Sequence, residues 1–441
     1  MSFPRYAKYK ETGIAWLPEV PEGWATGPLT RFTDRITDGA HISPETDGGV
    51  HPFVSTKDVV GEHIDIEGCL RTSPETYDYM VRTGCRPAAG DVLYSKDGTI
   101  GRTAIVPADL DFVVASSLII LRPALSRLVP QFLNRLLQSA FVASQVDRFV
   151  RGAGLPRLSV SNLMRVLACV PPPHEQTAIA AFLEPETDKI DALVATQLRL
   201  IDLLNEKRQA VISHAVTQGL DRGVAMKESG ADWVGPVPAH WECVRNKSVF
   251  HEVDERSDDA TGELLTVSHI TGVTRRSEKD VNMFMAETLE GYKKCAPGDL
   301  VINTMWAWMG ALGCSPLGGL VSPSYNVYRR KEPRRLLPGY YDYLCRLPPH
   351  AVAMRSRSTG VWESRLRLYP DAFLNMRMPL PPRAEQERIV AYLDEHRRRW
   401  DRLVAEAVRA IDLLQERRAA LISAAVTGQI DVRDAAARSA A

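Results

Sequence analysis

The side chains that most often do chemistry are present in this sequence, but they are not arranged to do it. Ten histidines show no HxxxH or HExxH spacing, so no helical metal pair is expected. Seven cysteines are scattered, odd in number and form no CxxC; they read as reduced core thiols of a cytoplasmic protein. There is no GxxxxGK[ST] loop to cradle a phosphate and no GxGxxG turn to admit a dinucleotide. No Asp-Pro-Pro-Tyr or Asn-Pro-Pro-Phe element marks an amino-group methyltransferase. The segments "PPPHE" and "LPPH" lack the leading Asp or Asn and sit where proline linkers are expected. Isolated carboxylates such as Asp97 and Asp371 read as turn or cap residues rather than as acids or bases. The chain should therefore recognise and hold something, with catalysis left to partners.

What positions the remaining polar residues is a repeat. "IDLLNEKRQAVISHAVTQGLD" at 201–221 returns as "IDLLQERRAALISAAVTGQID" at 411–431, an offset of 210. "KETGIAWLPEVPEGW" at 10–24 returns as "KESGADWVGPVPAHW" at 227–241, and "PPPHEQ" at 171–176 as "PPRAEQ" at 381–386. "GDVLYSKDGTIG" at 90–101 is echoed by "GDLVINTMWAWMG" at 298–310. The order in each copy is a Trp motif, a variable globular part, then a helix. A duplicated module of this size suggests a pseudo-twofold arrangement rather than a solenoid.

The two helices carry apolar residues spaced alternately by four and three. The first stripe holds Ile190, Val194, Ile201, Leu204 and Val211. The second holds Trp400, Val404, Ile411, Leu414 and Leu421. This is the spacing of a coiled-coil seam. Two such helices in one chain can pair antiparallel; an intermolecular zipper is the alternative. Pro185 should break a helix begun at His174, giving a short helix over 174–184 and a long one over 186–217. The second long helix is expected over 396–427. Between the helices, runs such as "DVLYS", "TAIV" and "FVVASSLIILRP" read as strands, and 128–150 reads as helix. Each globular part is thus mixed α and β.

Length and composition set outer bounds. A chain of 441 residues, 45% hydrophobic and 24% charged, is an ordinary soluble composition of two or three domains. No apolar run is long enough to span a membrane, and the N-terminus lacks the apolar core of a secretory signal. Net charge is zero and argues neither for nor against nucleic acid. Ten Arg or Lys do gather in 322–367 against only Glu332, Asp342 and Glu363.

The repeated helix ends, the "EQ" helix starts at Glu175–Gln176 and Glu385–Gln386, and the paired Trp16–Trp24 and Trp233–Trp241 openings together resemble the specificity (S) subunits of type I restriction-modification systems. "INTMWAWMGALG" and "VSPSYNVYR" resemble one recurring type of target-recognition domain. The resemblance covers essentially the whole chain. It implies an α+β fold: two mixed α/β target-recognition domains, at 1–170 and 222–380, separated by an antiparallel two-helix coiled coil with an internal pseudo-twofold repeat. The helical regions would be 171–221 and 381–431, with a disordered tail at 432–441.

The resemblance further implies that each domain reads one half of a bipartite, asymmetric site on double-stranded DNA. The helices would dock two modification (methyltransferase) subunits, and restriction subunits would add translocation and cleavage. The chain itself would be no enzyme and would bind no cofactor; S-adenosylmethionine, ATP and Mg would belong to its partners. A long helix of about 28–32 residues spans roughly 42–48 Å, or about 12–14 base pairs. An unread spacer of roughly six to ten pairs would follow if each domain reads a few pairs. A coiled-coil adaptor that does not read DNA is the competing class, for which the duplicated globular parts are excess.

Base and phosphate contacts call for Arg, Lys, Asn, Gln, Ser and Thr on loops. In the first domain this selects Ser55, Lys57, Lys96, Thr99, Arg102, Arg151 and Arg157. In the second it selects His269, Arg275, Arg276, Asn303, Thr304, Trp306, Arg355, Arg357 and Arg365, with at least one of Trp306 and Trp308 expected in the core. For partner docking the outward helix faces offer Ile179, Phe182, Leu193, Ile389, Tyr392 and Leu403.

Overall fold

The computed structural model describes residues 3–14, 16–47, 49–150, 156–258, 262–279, 289–361 and 366–434. The chain forms two compact units, Met1–Leu198 with Val408–Ala441, and Arg199–Ala407.

In unit 1 the first Trp motif folds into a hairpin of Tyr9–Ile14 and Leu17–Pro21. A four-stranded antiparallel sheet follows, built from β1 (Thr33–Asp38), β2 (Val92–Ser95), β3 (Thr103–Ile105) and β4 (Leu118–Pro123) in the order β1-β4-β2-β3. Every residue of β2 is buried, so "VLYS" reads as a continuous run rather than an alternation. Helices α1 (Pro130–Leu137) and α2 (Ala140–Phe149) cover the sheet. Pro130 opens α1 at a position where a missing N–H costs nothing. Leu167–Val170 pairs antiparallel with Ala25–Pro28 and leads into the long helix α3 (Pro173–Gln218).

Unit 2 repeats the plan. Its Trp motif makes the hairpin Met226–Glu228 and Pro236–Pro238. Strands β5 (Phe250–Val253), β6 (Leu300–Asn303), β7 (Leu312–Cys314) and β8 (Tyr325–Arg330) lie in the order β5-β8-β6-β7, the same topology as in unit 1. Helices α4 (Pro338–Cys345) and α5 (Pro348–Arg357) follow. Glu242–Arg245 pairs with Arg377–Leu380 before the second long helix, α6 (Arg383–Val426).

The compact units do not coincide with the sequence repeats. In unit 1 the core joins Trp24, Ile179, Phe182 and Leu183 with Ile422, Ala425, Val426 and Val432. In unit 2 it joins Trp241, Ile389 and Leu393 with Ala215 and Val216. Each globular part thus buries the end of the other copy's helix. Within each unit the helices run antiparallel: Arg418 meets Asp191 in unit 1 and Arg208 meets Asp401 in unit 2. These are equivalent pairs, 210 residues apart in both members. All ten expected seam residues are buried or half-buried, and Ile190, Trp400 and Ile411 are the most buried of them.

Two expectations require correction. Pro185 does not end a helix; α3 runs through it as one element of 46 residues. Leu183 and Thr187 on either side are fully buried, and burial of both turns offsets the roughly 3 kcal/mol that an internal proline costs. The Thr187 hydroxyl donates to the carbonyls of Leu183 and Glu184, and Ala181, whose carbonyl loses its partner, lies at an exposed position. Likewise α6 begins at Arg383 rather than near 396. The tail begins later than expected. Val432 is fully buried, Arg433 lies 4.8 Å over the Tyr6 ring, and the Asp431 N–H donates to Pro4 O at 2.8 Å; residues 435–441 fall outside the described set.

All seven cysteines are unbridged. Among the described residues no helix is long and apolar enough to cross a membrane.

Candidate nucleic-acid interface

In unit 1 three segments converge on Ser117, at the start of β4. The loop from β2 to β3 is tied by Ser95 Oγ, which donates to Thr99 O at 2.6 Å and accepts from Arg102 N at 2.8 Å. Lys96 N donates to Ser117 O. Thr56 donates twice to Ser117, from N to Oγ and from Oγ1 to O. The third segment closes when Leu158 N donates to Lys96 O at 2.9 Å. Arg102 Nη1 reaches Val59 O at 3.2 Å. Ser55, Lys57, Lys96, Thr99, Arg102 and Arg157 therefore come together at one edge of the sheet. Arg151 lies outside the described residues.

Not all of these side chains can meet a ligand. Lys96 is only 4% exposed and is neutralised by Asp38 at 3.3 Å and Asp97 at 3.7 Å. It is a buried structural ion pair, not an outward cation, because a buried ammonium must be paired. The Ser55 hydroxyl donates to Asp58 in a capping box, so it shapes the turn that presents Lys57. Arg157, held by Asp97 at 2.8 Å, stays exposed, as do Lys57, Thr99 and Arg102. His41, exposed and 2.9 Å from Asp38, joins the same edge. Sequence reading does not select His41, Asp38 or Ser117; the turn-rich "ITDGAHIS" at 36–43 is a signal for the first two alone.

Unit 2 builds the same edge with other residues. Leu368 N donates to Thr304 O at 3.1 Å, as Leu158 does to Lys96, and Thr304 Oγ1 donates to Ser324 O at 2.8 Å. Asn303 pairs across the sheet with Tyr325, as Ser95 does with Leu118. Asn303 is 8% exposed and its Oδ1 has no hydrogen-bond partner among the described residues. The loop tip differs most: Met305 and Trp306 are 38% and 49% exposed. Trp308 is half-buried, its Nε1 donates to Met305 O, and Arg355 lies over its ring. Of the two tryptophans, Trp308 is thus the anchored one.

The other predicted residues are not at this tip. His269 is exposed at the turn between Leu265–Ser268 and Gly272–Arg275 and lines a groove with Arg208, Arg346 and Arg397. Arg275 is engaged by Glu263 and Glu278, and Arg276 is half-buried next to it. Arg357 turns back on its own helix, donating to Ala353 O, and approaches Asp232 at 3.5 Å. Arg365 lies outside the described residues.

The expected partner-docking residues also divide. Ile179, Phe182 and Ile389 are in the unit cores and Tyr392 is half-buried. They lie where the helices leave their own globular part, so their apolar faces turn inward. Leu193 and Leu403 are exposed, and two further repeat-matched pairs join them: Leu198 with Val408, and Leu203 with Leu413.

Residues 23–201 match the family model for the type I restriction modification DNA specificity domain. Among solved structures, a chain from a structure described as the basis of complex assembly and conformational transition of the type I R-M system shares 18% identity over 93% of this chain and 99% of its own, with a TM-score of 0.62. The HsdS subunit from Thermoanaerobacter tengcongensis shares 18% identity over 93% of this chain and 98% of its own, with a TM-score of 0.48. A comparison with curated protein sequences gave no match.

Proposed function

We propose that the chain, whose residues 23–201 match the type I restriction modification DNA specificity domain, is a type I restriction-modification specificity subunit in which each unit reads one half of a bipartite, asymmetric DNA site. The domain match over residues 23–201 supports DNA recognition; the division of labour between the units is our reading. One observation carries it. Two sheets of identical topology present the same backbone-tied edge, yet one bears the exposed Arg102, Arg157, Lys57 and Thr99 and the other the exposed Met305 and Trp306. A common frame with different side chains is what reading two different half-sites requires.

In this reading the chain catalyses nothing. Two modification subunits dock on the exposed, repeat-matched apolar residues Leu193, Leu198, Leu203, Leu403, Val408 and Leu413, which otherwise leave apolar surface in water. They would bring S-adenosylmethionine; restriction subunits would bring ATP and Mg. The test is exchange of residues 222–380 for those of another specificity subunit, followed by methylation profiling. One half of the modified sequence should change and the other persist. Simultaneous change of both halves would refute independent reading.

A further inference from the structure

A single acidic residue ties the reading edge of unit 1 to both long helices. Glu62 sits in the tight turn between Val59–Val60 and His63–Ile64. Its φ is 69°, and it is the only non-glycine with positive φ among the described residues. A residue with a Cβ resists this conformation, and such turns favour Asn or Gly. Something must therefore hold it there.

What holds it is a dense set of hydrogen bonds. Glu62 Oε1 accepts from Arg135 Nη1 on α1 at 2.6 Å and from Arg418 Nη2 on α6 at 2.7 Å. Oε2 accepts from Asn134 Nδ2 at 2.8 Å. Arg418 also bonds Asp191 on α3. The side chains of Glu62, Arg135 and Arg418 are only 26%, 10% and 23% exposed, so water competes poorly for these charge-assisted bonds. Burial alone would raise the Glu62 carboxyl, but Arg135, Gln138 and Arg418 outweigh it and hold the group below its usual range.

The turn is one hydrogen bond from the reading edge. Val59 O accepts from Arg102, and Asp58 O accepts from Asp65 N at 2.8 Å. Among the described residues unit 2 has no counterpart. There the equivalent arginine, Arg208, pairs with Asp401, while His269 and Ile270 occupy the hairpin tip. That hairpin is held by Arg346, donating to Thr271 O at 3.4 Å, and by Lys279, donating to Ser268 Oγ and Thr271 Oγ1 at 2.9 and 2.6 Å. The strap is a property of the first unit, not of the shared frame.

We infer that Glu62 is a positioning residue for half-site discrimination: it locks the Val59–Ile64 hairpin, and through it the Ser55–Asp58 and Arg102 segments, onto α6. This rests on the proposed reading of DNA by unit 1. The experiment uses the chain assembled with its host's modification subunit, acting on a library of sites carrying single mismatches. Glu62→Gln removes the charge. Glu62→Gly removes the side chain and also relieves the backbone strain, so a fidelity defect shared by both variants cannot come from misfolding at the turn.

Both variants should methylate sites mismatched in one half at least about fivefold better relative to the cognate site, the low end of what one wrong base pair costs, with the other half unaffected. Amide exchange should quicken in 56–64 and 99–105 but not in 33–38 or 118–123. Equal relaxation of both halves, or an unchanged profile in both variants, would overturn the inference while leaving the reading of DNA intact. A parental complex with no half-site preference would overturn the reading itself.

Discussion

Gln176 and Gln386, the second residues of the two "EQ" motifs, offer a domain-selective test of how the long helices are fixed. Both are fully buried. Gln386 Oε1 accepts from Leu337 N at 2.7 Å, and its Nε2 donates to Arg335 O and Pro381 O, each at 2.9 Å. Gln176 makes the same three bonds, to Val129 N, Arg127 O and Pro171 O. Each glutamine thus staples a helix start to the loop that enters α4 or α1. Gln386→Leu keeps the approximate volume and removes all three bonds. The Leu337 N–H and the buried Pro381 carbonyl lose their partner, while Arg335, half-buried, is better able to reach water. At about 1–3 kcal/mol per orphaned buried group, the change should cost roughly 2–5 kcal/mol. That is a large share of a typical domain's stability. With two units, unfolding need not be two-state, so hydrogen exchange is the better assay. Peptides from 227–245 and 336–380 should lose protection, and those from 17–38 and 92–123 should not. Gln176→Leu should do the reverse. Gln386→Glu should be no milder, because its carboxylate would face two carbonyls. A cost under about 1 kcal/mol, or protection lost equally in both units, would refute the staple.

The paired tryptophans should behave unequally. Trp24 Nε1 donates to the buried Glu175, whereas Trp241 Nε1 has no partner among the described residues; Trp24→Phe should therefore cost about 1.5–3 kcal/mol more than Trp241→Phe in urea unfolding. Burial pushes His350 from its ordinary 6.5 down to about 4. The unfolded chain then binds the proton first, so unit 2 should lose up to roughly 3 kcal/mol as pH falls from above 6.5 to 4; His350→Gln should flatten that slope, read by Trp233, whose ring lies 4.7 Å away. Inserting one heptad after Leu204 and after Leu414 keeps the seam and lengthens each helix by about 10.5 Å. Methylation should then shift to a spacer about three base pairs longer, with lower efficiency from the uncompensated DNA twist. Unchanged use of the original spacer would show that the helices do not set it.

Much of this architecture was legible from repetition and periodicity. The 210-residue offset, the alternating four-and-three stripe and the paired Trp and "EQ" motifs are local patterns, and local patterns survive in a one-dimensional reading. Solvent exposure did not. Lys96 looked like a DNA contact because its type and loop were right, but only the folded chain brings Asp38 beside it. Ile179, Phe182 and Ile389 looked outward because periodicity gives the angle of a face, not what covers it. Pro185 looked like a stop because its local cost is visible and the burial that offsets it is not.

What the sequence determined by itself is a duplicated frame: two Trp-headed globular parts, two seamed helices, and variable segments between them. What only the tertiary structure decided is which pieces share a core. Ile422 and Val426 complete the unit that begins at the N-terminus, and Ala215 and Val216 complete the other. Glu62 acquires Arg418 as a partner 356 positions away. Repeats and spacing record a residue's neighbours along the chain; burial and ion pairing depend on neighbours in space, and those exist only once the helices have turned back on the domains they fix.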